Sequence, residues 1–268
     1  MLLLALALVA VIGYSGNQLW EIHQNNVQEA EIHNRLLQYR PTQQTVPSAD
    51  TPIDGSTDRL ADGSTDEPTH DAEANTEFAP HVNQSIVDLQ EAISDVVGWL
   101  TVPNTQIDYP FAQGIDNSTY LHMDLDQRWS AAGTIFLDYR NSREFTDFNT
   151  ILYGHHMRNG SMFGTLQQFN ERAFFEANST GTLFLADKTY EIEFIAFAVI
   201  QPDDAVVYNH TSTTEEGRVA FLEHIKTTAR YYRDIDVTEH DQIITLSTCN
   251  YEFHNARMVL IGRLARIS

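Results

Sequence analysis

The sequence predicts a mainly β fold: a roughly eight-stranded barrel, closed or nearly closed and rich in antiparallel pairs, with an N-terminal helix and a long helix late in the chain. Three observations predict it. Beyond Gly98 the chain breaks into short β-like runs, among them GTIFLDY, TILYG, GTLFLAD, TYEIEFIAFAVI, QIITLST and RMVLIGRL. Turn residues separate these runs, and few helical stretches come between them. With 268 residues, 42% of them hydrophobic, the chain has enough material for a packed core.

The elements follow in order. Met1 to Gly13 is apolar and carries no charge. That is shorter than the roughly 20 residues a bilayer span needs. It also lacks the basic flank of a signal peptide. Because no small-x-small cleavage site stands out before Gln18, residues 1–15 are expected to be the distal part of an uncleaved membrane anchor that begins upstream. Residues 16–40 are mostly good helix formers with sparse apolar positions, which fits a membrane-proximal helix. Residues 41–82 are rich in Thr, Asp, Ser and Pro and poor in large apolar groups. Such a stretch buries too little surface to offset its ordering entropy, so it reads as a disordered acidic tether. DGSTD occurs there twice, at 54–58 and 62–66, without the later bidentate glutamate of a calcium loop.

Residues 83–268 read as the main folded domain. Ile86, Leu89, Ile93 and Val96/Val97 stand at helical spacing, with Asn83 or Ser85 available as the N-cap. Two helices interrupt the strands. One is short, near 161–176. The other spans 214–235, with Val219, Leu222, Ile225, Ala229 and Tyr232 along one face.

Composition excludes several functions. A net charge of −21 argues against nucleic acid, which needs a basic surface. A single cysteine rules out an intramolecular disulfide and a zinc site built from several thiolates.

That cysteine lies in TLSTCNYEFHNAR, residues 245–257. If 242–248 is a strand, Ile243, Thr245, Ser247 and Cys249 share one face, and Ile244, Leu246 and Thr248 the other. The thiol then sits at a strand end, on a rim. The next strand opens with Arg257, on the same parity as Val259 and Ile261. An arginine leading an apolar face is costly unless its guanidinium has a partner or a task. A hairpin between the two strands brings Cys249 and Arg257 side by side. A nucleophilic thiol also needs a proton-transfer partner. Of eleven histidines, His155 and His156 follow an apolar strand, directly after Gly154, and open a loop. His254 is nearer in sequence, but a hairpin turn usually points such a side chain into solvent.

The segments GWLTVPNTQIDYP, GTIFLDYRN, ILYGHHM, NGSMFGTL and TLSTC with its later arginine stand in one order along the chain. Together they resemble the class B sortases over roughly residues 84–268, and the helix before the cysteine strand is a class B feature. The resemblance implies a β-barrel with a Cys–His–Arg site and membrane anchoring through the N-terminus. Its cysteine attacks the carbonyl of a C-terminal sorting motif in a secreted protein, and an amine of peptidoglycan or a pilin lysine resolves the thioester. Carried over, the nucleophile falls on Cys249, the general acid/base on His155 with His156 ranked second, and the oxyanion donor on Arg257. Ser247 and Thr248 are expected substrate contacts. The chemistry requires no cofactor or metal. Tyr251 stands two residues after the cysteine, where some class B members carry an acidic residue, so His155 is left without a carboxylate orienter. Both His155 and Cys249 are then expected to be mostly neutral at pH 7. The competing readings are a cell-wall cysteine peptidase, which uses water instead of an amine, and a non-catalytic barrel that binds peptide or glycan.

Overall fold

The computed structural model describes residues 2–42, 82–209, 212–249 and 256–268. The expected tether lies outside them except for its two ends, as does the hairpin turn carrying Tyr251, Glu252 and His254.

Nine strands form one sheet: β1 Val96–Thr101, β2 Asp108–Ala112, β3 Ile135–Leu137, β4 Asn149–His155, β5 Thr180–Phe184, β6 Thr189–Ile200, β7 Tyr231–Tyr232, β8 Gln242–Cys249 and β9 Arg257–Arg266. Their order is β5-β1-β2-β3-β4-β8-β9-β6-β7, and β5 also pairs with β6. That extra pairing closes eight strands into the predicted barrel and leaves the short β7 on the flank of β6. Closure removes the unpaired edges that an open sheet would present. Two pairs, β2–β3 and β4–β8, are parallel, and the others are antiparallel.

Side-chain alternation along β8 and β9 builds two cores at once. Ile244, Leu246 and Leu260 face the barrel interior, with Phe111, Ile135, Leu152 and Phe194. Ile243, Val259 and Ile261 face outwards under a second helix-covered layer with Phe148, Phe221 and Ile225. Strands buried on both faces read as near-continuous apolar runs, which is why QIITLST and RMVLIGRL are so hydrophobic. Each fully buried Leu, Ile or Phe contributes about 1.5–3 kcal/mol.

The helices refine the expectation. α1 runs unbroken over Leu2–Leu36, followed by a 3-10 turn at Leu37–Tyr39. Its last turns dock on the barrel. Leu36 is buried, Ile32 packs beside it, and the His33 ring lies 4.5 Å from that of Tyr109. Arg35 pairs with Asp126 at 2.6 Å and Arg40 with Asp108 at 2.8 Å. Among the described residues, no helix is long and apolar enough to cross a membrane.

α2 covers Gln84–Ala92 only, and Val96 and Val97 belong to β1. The helix ends because Ile93 is extended, with φ −141° and ψ 96°, and Val96 then takes Ala112 as a strand partner. Asn83 stands at the N-cap but makes no capping hydrogen bond with its side chain; its amide donates instead to Thr189 Oγ1 at 3.1 Å.

The short helical stretch is a 3-10 turn at Gly164–Asn170 followed by α3, Arg172–Ala177. α4 spans Glu215–Thr228, shorter than predicted, because Tyr231 and Tyr232 pair with Phe197 and Ala196 as β7. Thr214 caps α4 by accepting from the Gly217 amide at 3.2 Å. Its buried face is Phe221 and Ile225, whereas Val219 is 43% exposed. Phe221 meets Phe148 edge-to-face at 5.4 Å, a preferred geometry for ring pairs, and this contact sets the rotation of the helix.

Candidate active site

Strand register builds the site. In the parallel pair β4–β8, Asn149 faces Ile243, Ile151 faces Thr245, Tyr153 faces Ser247 and His155 faces Cys249. In the antiparallel pair β8–β9, Ser247 faces Val259. That ladder ends at this pair, and Arg257, two residues before Val259, opens β9 as the partner of Ile200 on β6. Strand alternation puts Arg257 on the same parity as the His155–Cys249 rung, the outer face whose lower rungs are covered by α4.

His155 is 7% exposed. Its Nε2–H donates to the Leu121 carbonyl at 2.6 Å, so a neutral ring carries its lone pair on Nδ1. Burial pushes its pKa below the ordinary value. The Leu121 hydrogen bond opposes that shift, and charge at His122 and Arg257 reinforces it. The His122 ring lies 5.8 Å from that of His155. His156 turns the other way, its Nε2 lying 3.2 Å from Gln167 Oε1, while its backbone pairs with Met162.

Gly154 explains the loop geometry before this histidine. A Cβ there would lie 2.8 Å from the Phe163 ring, so only glycine lets that buried ring pack on β4. Phe163 comes from the segment NGSMFGTL, and its backbone N–H donates to the His155 carbonyl at 2.9 Å. That segment therefore braces the strand end from the inside.

Ser247 and Thr248 are both fully buried. The Ser247 hydroxyl hydrogen-bonds that of Tyr208 at 3.0 Å. Thr248, on the opposite parity, accepts from the Met258 N–H at 3.1 Å and donates to the Met258 carbonyl at 3.3 Å. Thr248 thus ties β8 to β9 just below the rim.

A cleft of about 410 Å³ opens beside the rung, lined by Asn117, Leu121, Phe136, Arg140, Tyr153, residues 202–205, Tyr208 and Arg257. That volume is in the range of ligand sites. Tyr153 and Tyr208 stack across it with ring centroids 6.2 Å apart. Most of these wall residues carried no signal in the sequence, since three separate loops converge on them only in the fold. The segment GTIFLDYRN, however, already contains Arg140 and the Asp138 that holds it. Among the described residues, no group of three or more His, Cys, Asp or Glu could hold a metal ion.

A barrel that pairs a strand-end cysteine with a strand-end histidine, beside a cleft lined by an arginine, has the layout of an acyl-transferring cysteine enzyme. Residues 100–265 match the sortase domain model. Sortase B of Listeria monocytogenes is 40% identical over 199 residues, covering 73% of this chain and 80% of the relative. The crystal structure of Bacillus anthracis sortase B in complex with AAEK1 superposes with a TM-score of 0.64 at 34% identity, covering 69% of this chain and 86% of that one. The Staphylococcus aureus sortase B–substrate complex does so with a TM-score of 0.66 at 28% identity, covering 70% and 88%. The chain belongs to the sortase family of cysteine transpeptidases, in its class B group. Sortases are cell-surface enzymes.

Proposed function

We propose that Cys249 is the nucleophile of this transpeptidase, His155 its general acid/base and Arg257 its oxyanion donor. The single observation supporting this most strongly is the His155–Cys249 pairing at the end of the β4–β8 ladder. The Cys249 thiolate attacks the scissile carbonyl of a C-terminal sorting motif, forming a C–S bond. Arg257 donates hydrogen bonds to the developing oxyanion, where a cationic donor is most effective. As the C–N bond breaks, His155 delivers its proton to the leaving amine. An incoming amine, from peptidoglycan or a pilin lysine, then attacks the thioester; its proton passes to His155, and the C–S bond breaks to release the Cys249 thiolate.

The cleft beside Arg257 takes the sorting peptide. Ser247 acts there through its hydrogen bond to Tyr208, and Thr248 keeps β8 and β9 in register. Residues 83–268 form the catalytic domain. Residues 1–15 anchor the protein in the cell membrane as a single-pass segment, 16–40 lead away from it as a helix, and 41–82 serve as the tether. The uncharged, apolar run from Met1 to Gly13 supports that anchoring.

The test is product analysis. The wild-type chain is incubated with a panel of quenched fluorescent pentapeptides, with and without triglycine, and the products are weighed. Amine-dependent ligation and a covalent acyl-enzyme on Cys249, both absent from Cys249→Ala, support the reading. Hydrolysis that triglycine leaves unchanged supports a peptidase, and full activity in Cys249→Ala ends the nucleophile assignment.

A further inference from the structure

We propose that Asp138 is a positioning residue for sorting-peptide binding, its buried carboxylate holding three side chains of the cleft wall, Asn117, Arg140 and Tyr153, in their binding geometry. The proposal rests on the reading that this cleft takes the peptide.

Asp138 follows the last residue of β3 and is 0% exposed. A carboxylate removed from water is destabilising unless charge and hydrogen bonds compensate for it. Here the compensation is complete and comes largely from one direction. Oδ1 accepts from Arg140 Nε at 2.9 Å and from the Arg140 backbone N–H at 3.0 Å. Oδ2 accepts from Arg140 Nη2 at 2.7 Å, from Asn117 Nδ2 at 3.0 Å and from the Tyr153 hydroxyl at 3.1 Å. The fork from Arg140 is bidentate, the geometry in which a guanidinium is held most rigidly.

All three side-chain donors line the 410 Å³ cleft. They come from three separate parts of the chain, and each on its own would sample several rotamers. One carboxylate removes that freedom from all of them. Burial opposes ionisation of Asp138, but the hydrogen bonds from Arg140 and Asn117 outweigh it and hold the carboxyl below the usual carboxylate range. Burial and Asp138 together push the Tyr153 phenol well above its ordinary pKa, so it remains a donor throughout the working range. Tyr153 is also the β4 partner of Ser247, one rung below His155 and Cys249, so fixing its ring fixes the floor next to the thiol. The same carboxylate neutralises Arg140, which then offers the peptide hydrogen-bond donors without a free positive charge.

A site whose wall is already ordered loses less conformational entropy when a peptide binds. Loss of Asp138 should therefore raise KM and leave the thiol chemistry intact. The experiment uses the full chain and its variants Asp138→Asn, Arg140→Gln and Tyr153→Phe. KM and kcat are measured with the pentapeptide that the wild type cleaves fastest, with triglycine as amine. The rate of Cys249 alkylation by iodoacetamide is measured without substrate. Removing one such hydrogen bond is expected to raise KM about three- to tenfold, with kcat and alkylation rate held within about twofold. Asp138→Asn should raise KM at least as far, and adding Tyr153→Phe to it should cost no more than Asp138→Asn alone.

An unchanged KM in Tyr153→Phe and Arg140→Gln overturns the proposal. So do KM effects that simply add in the double variant, or an alkylation rate that falls in step with activity, since either means a general disturbance. If Asp138→Asn does not fold, Tyr153→Phe, which keeps the ring, decides alone by its KM. If the wild type alkylates but ligates no peptide of the panel, the reading of the cleft fails and this assignment fails with it. If the wild type ligates and the variants keep its KM, only the role given to Asp138 falls.

Discussion

His155 and Cys249 are register partners across the parallel pair β4–β8, the last pair of that ladder. Strand pairing sets their backbones side by side, so their relative placement depends on the sheet. The imidazole Nε2–H is held by a backbone carbonyl, that of Leu121. A neutral acceptor orients the ring without stabilising its cation as strongly as a carboxylate, which agrees with the depressed pKa of His155.

The pH dependence of stability should carry this signature. The folded pKa of His155 lies below its ordinary 6.5, so the folded state binds fewer protons than the unfolded one between those two values. Its contribution to stability is therefore full above pH 6.5 and declines as pH falls through the window to the folded pKa. Urea unfolding of the wild type and His155→Gln between pH 7.5 and 5 should show a shallower pH slope in the variant. Equal slopes would mean that His155 titrates normally.

Arg257 should matter for rate more than for binding. Arg257→Ala is expected to lower kcat about a hundred- to a thousandfold, as for loss of an oxyanion donor. Because the guanidinium charge depresses the pKa of His155, the same variant should raise the His155 titration midpoint, as read by NMR. Arg257→Lys should recover little, since an ammonium lacks the planar fork. A variant with near-normal kcat and an unmoved midpoint would remove Arg257 from the site.

Gly154→Ala should lose about 1–3 kcal/mol of stability, because its methyl group would be driven into the buried Phe163 ring. Adding Phe163→Leu should recover part of that loss in thermal unfolding. A neutral Gly154→Ala would mean that the loop gives way easily, and that it does not brace β4.

α4 supplies a control pair. Phe221→Ala removes a fully buried ring and is expected to cost about 3–5 kcal/mol. Val219→Ala, on the exposed side of the same helix, should stay within about 0.5 kcal/mol. The reverse ranking would restore the helix face that simple periodicity suggested.

Much of the fold was legible because strand signals are local. The runs GTLFLAD, TYEIEFIAFAVI, QIITLST and RMVLIGRL declare themselves by β-branched and aromatic content, and each became a barrel strand. Helix ends were read less well. Val96 and Val97 fit a helical spacing and a strand equally, and only pairing with β2 decided between them. On α4 the expected Leu222, Ile225, Ala229 and Tyr232 pack on the core, but Phe221 was not read because its partner Phe148 lies in a loop far away in sequence.

The site divides in the same way. Cys249, His155 and Arg257 were singled out by the residue types at strand ends and the motifs around them, and their placement at the ends of β8, β4 and β9 follows that reading. Nothing local in the sequence announces the Leu121 carbonyl, the Tyr153–Tyr208 stack or the donors gathered on Asp138. These contacts join residues from different strands and loops, and each exists only once the chain has closed. Sequence alone determined the strand-rich fold class, the single thiol, and the parity that puts Ser247 and Cys249 on one face and Thr248 on the other. Tertiary structure decided the rest: which strands neighbour one another, in what register, and therefore which imidazole meets the thiol. The physical reason is that side-chain alternation is a property of a few consecutive residues, whereas barrel closure and register depend on hydrogen bonds and packing between segments far apart in the chain.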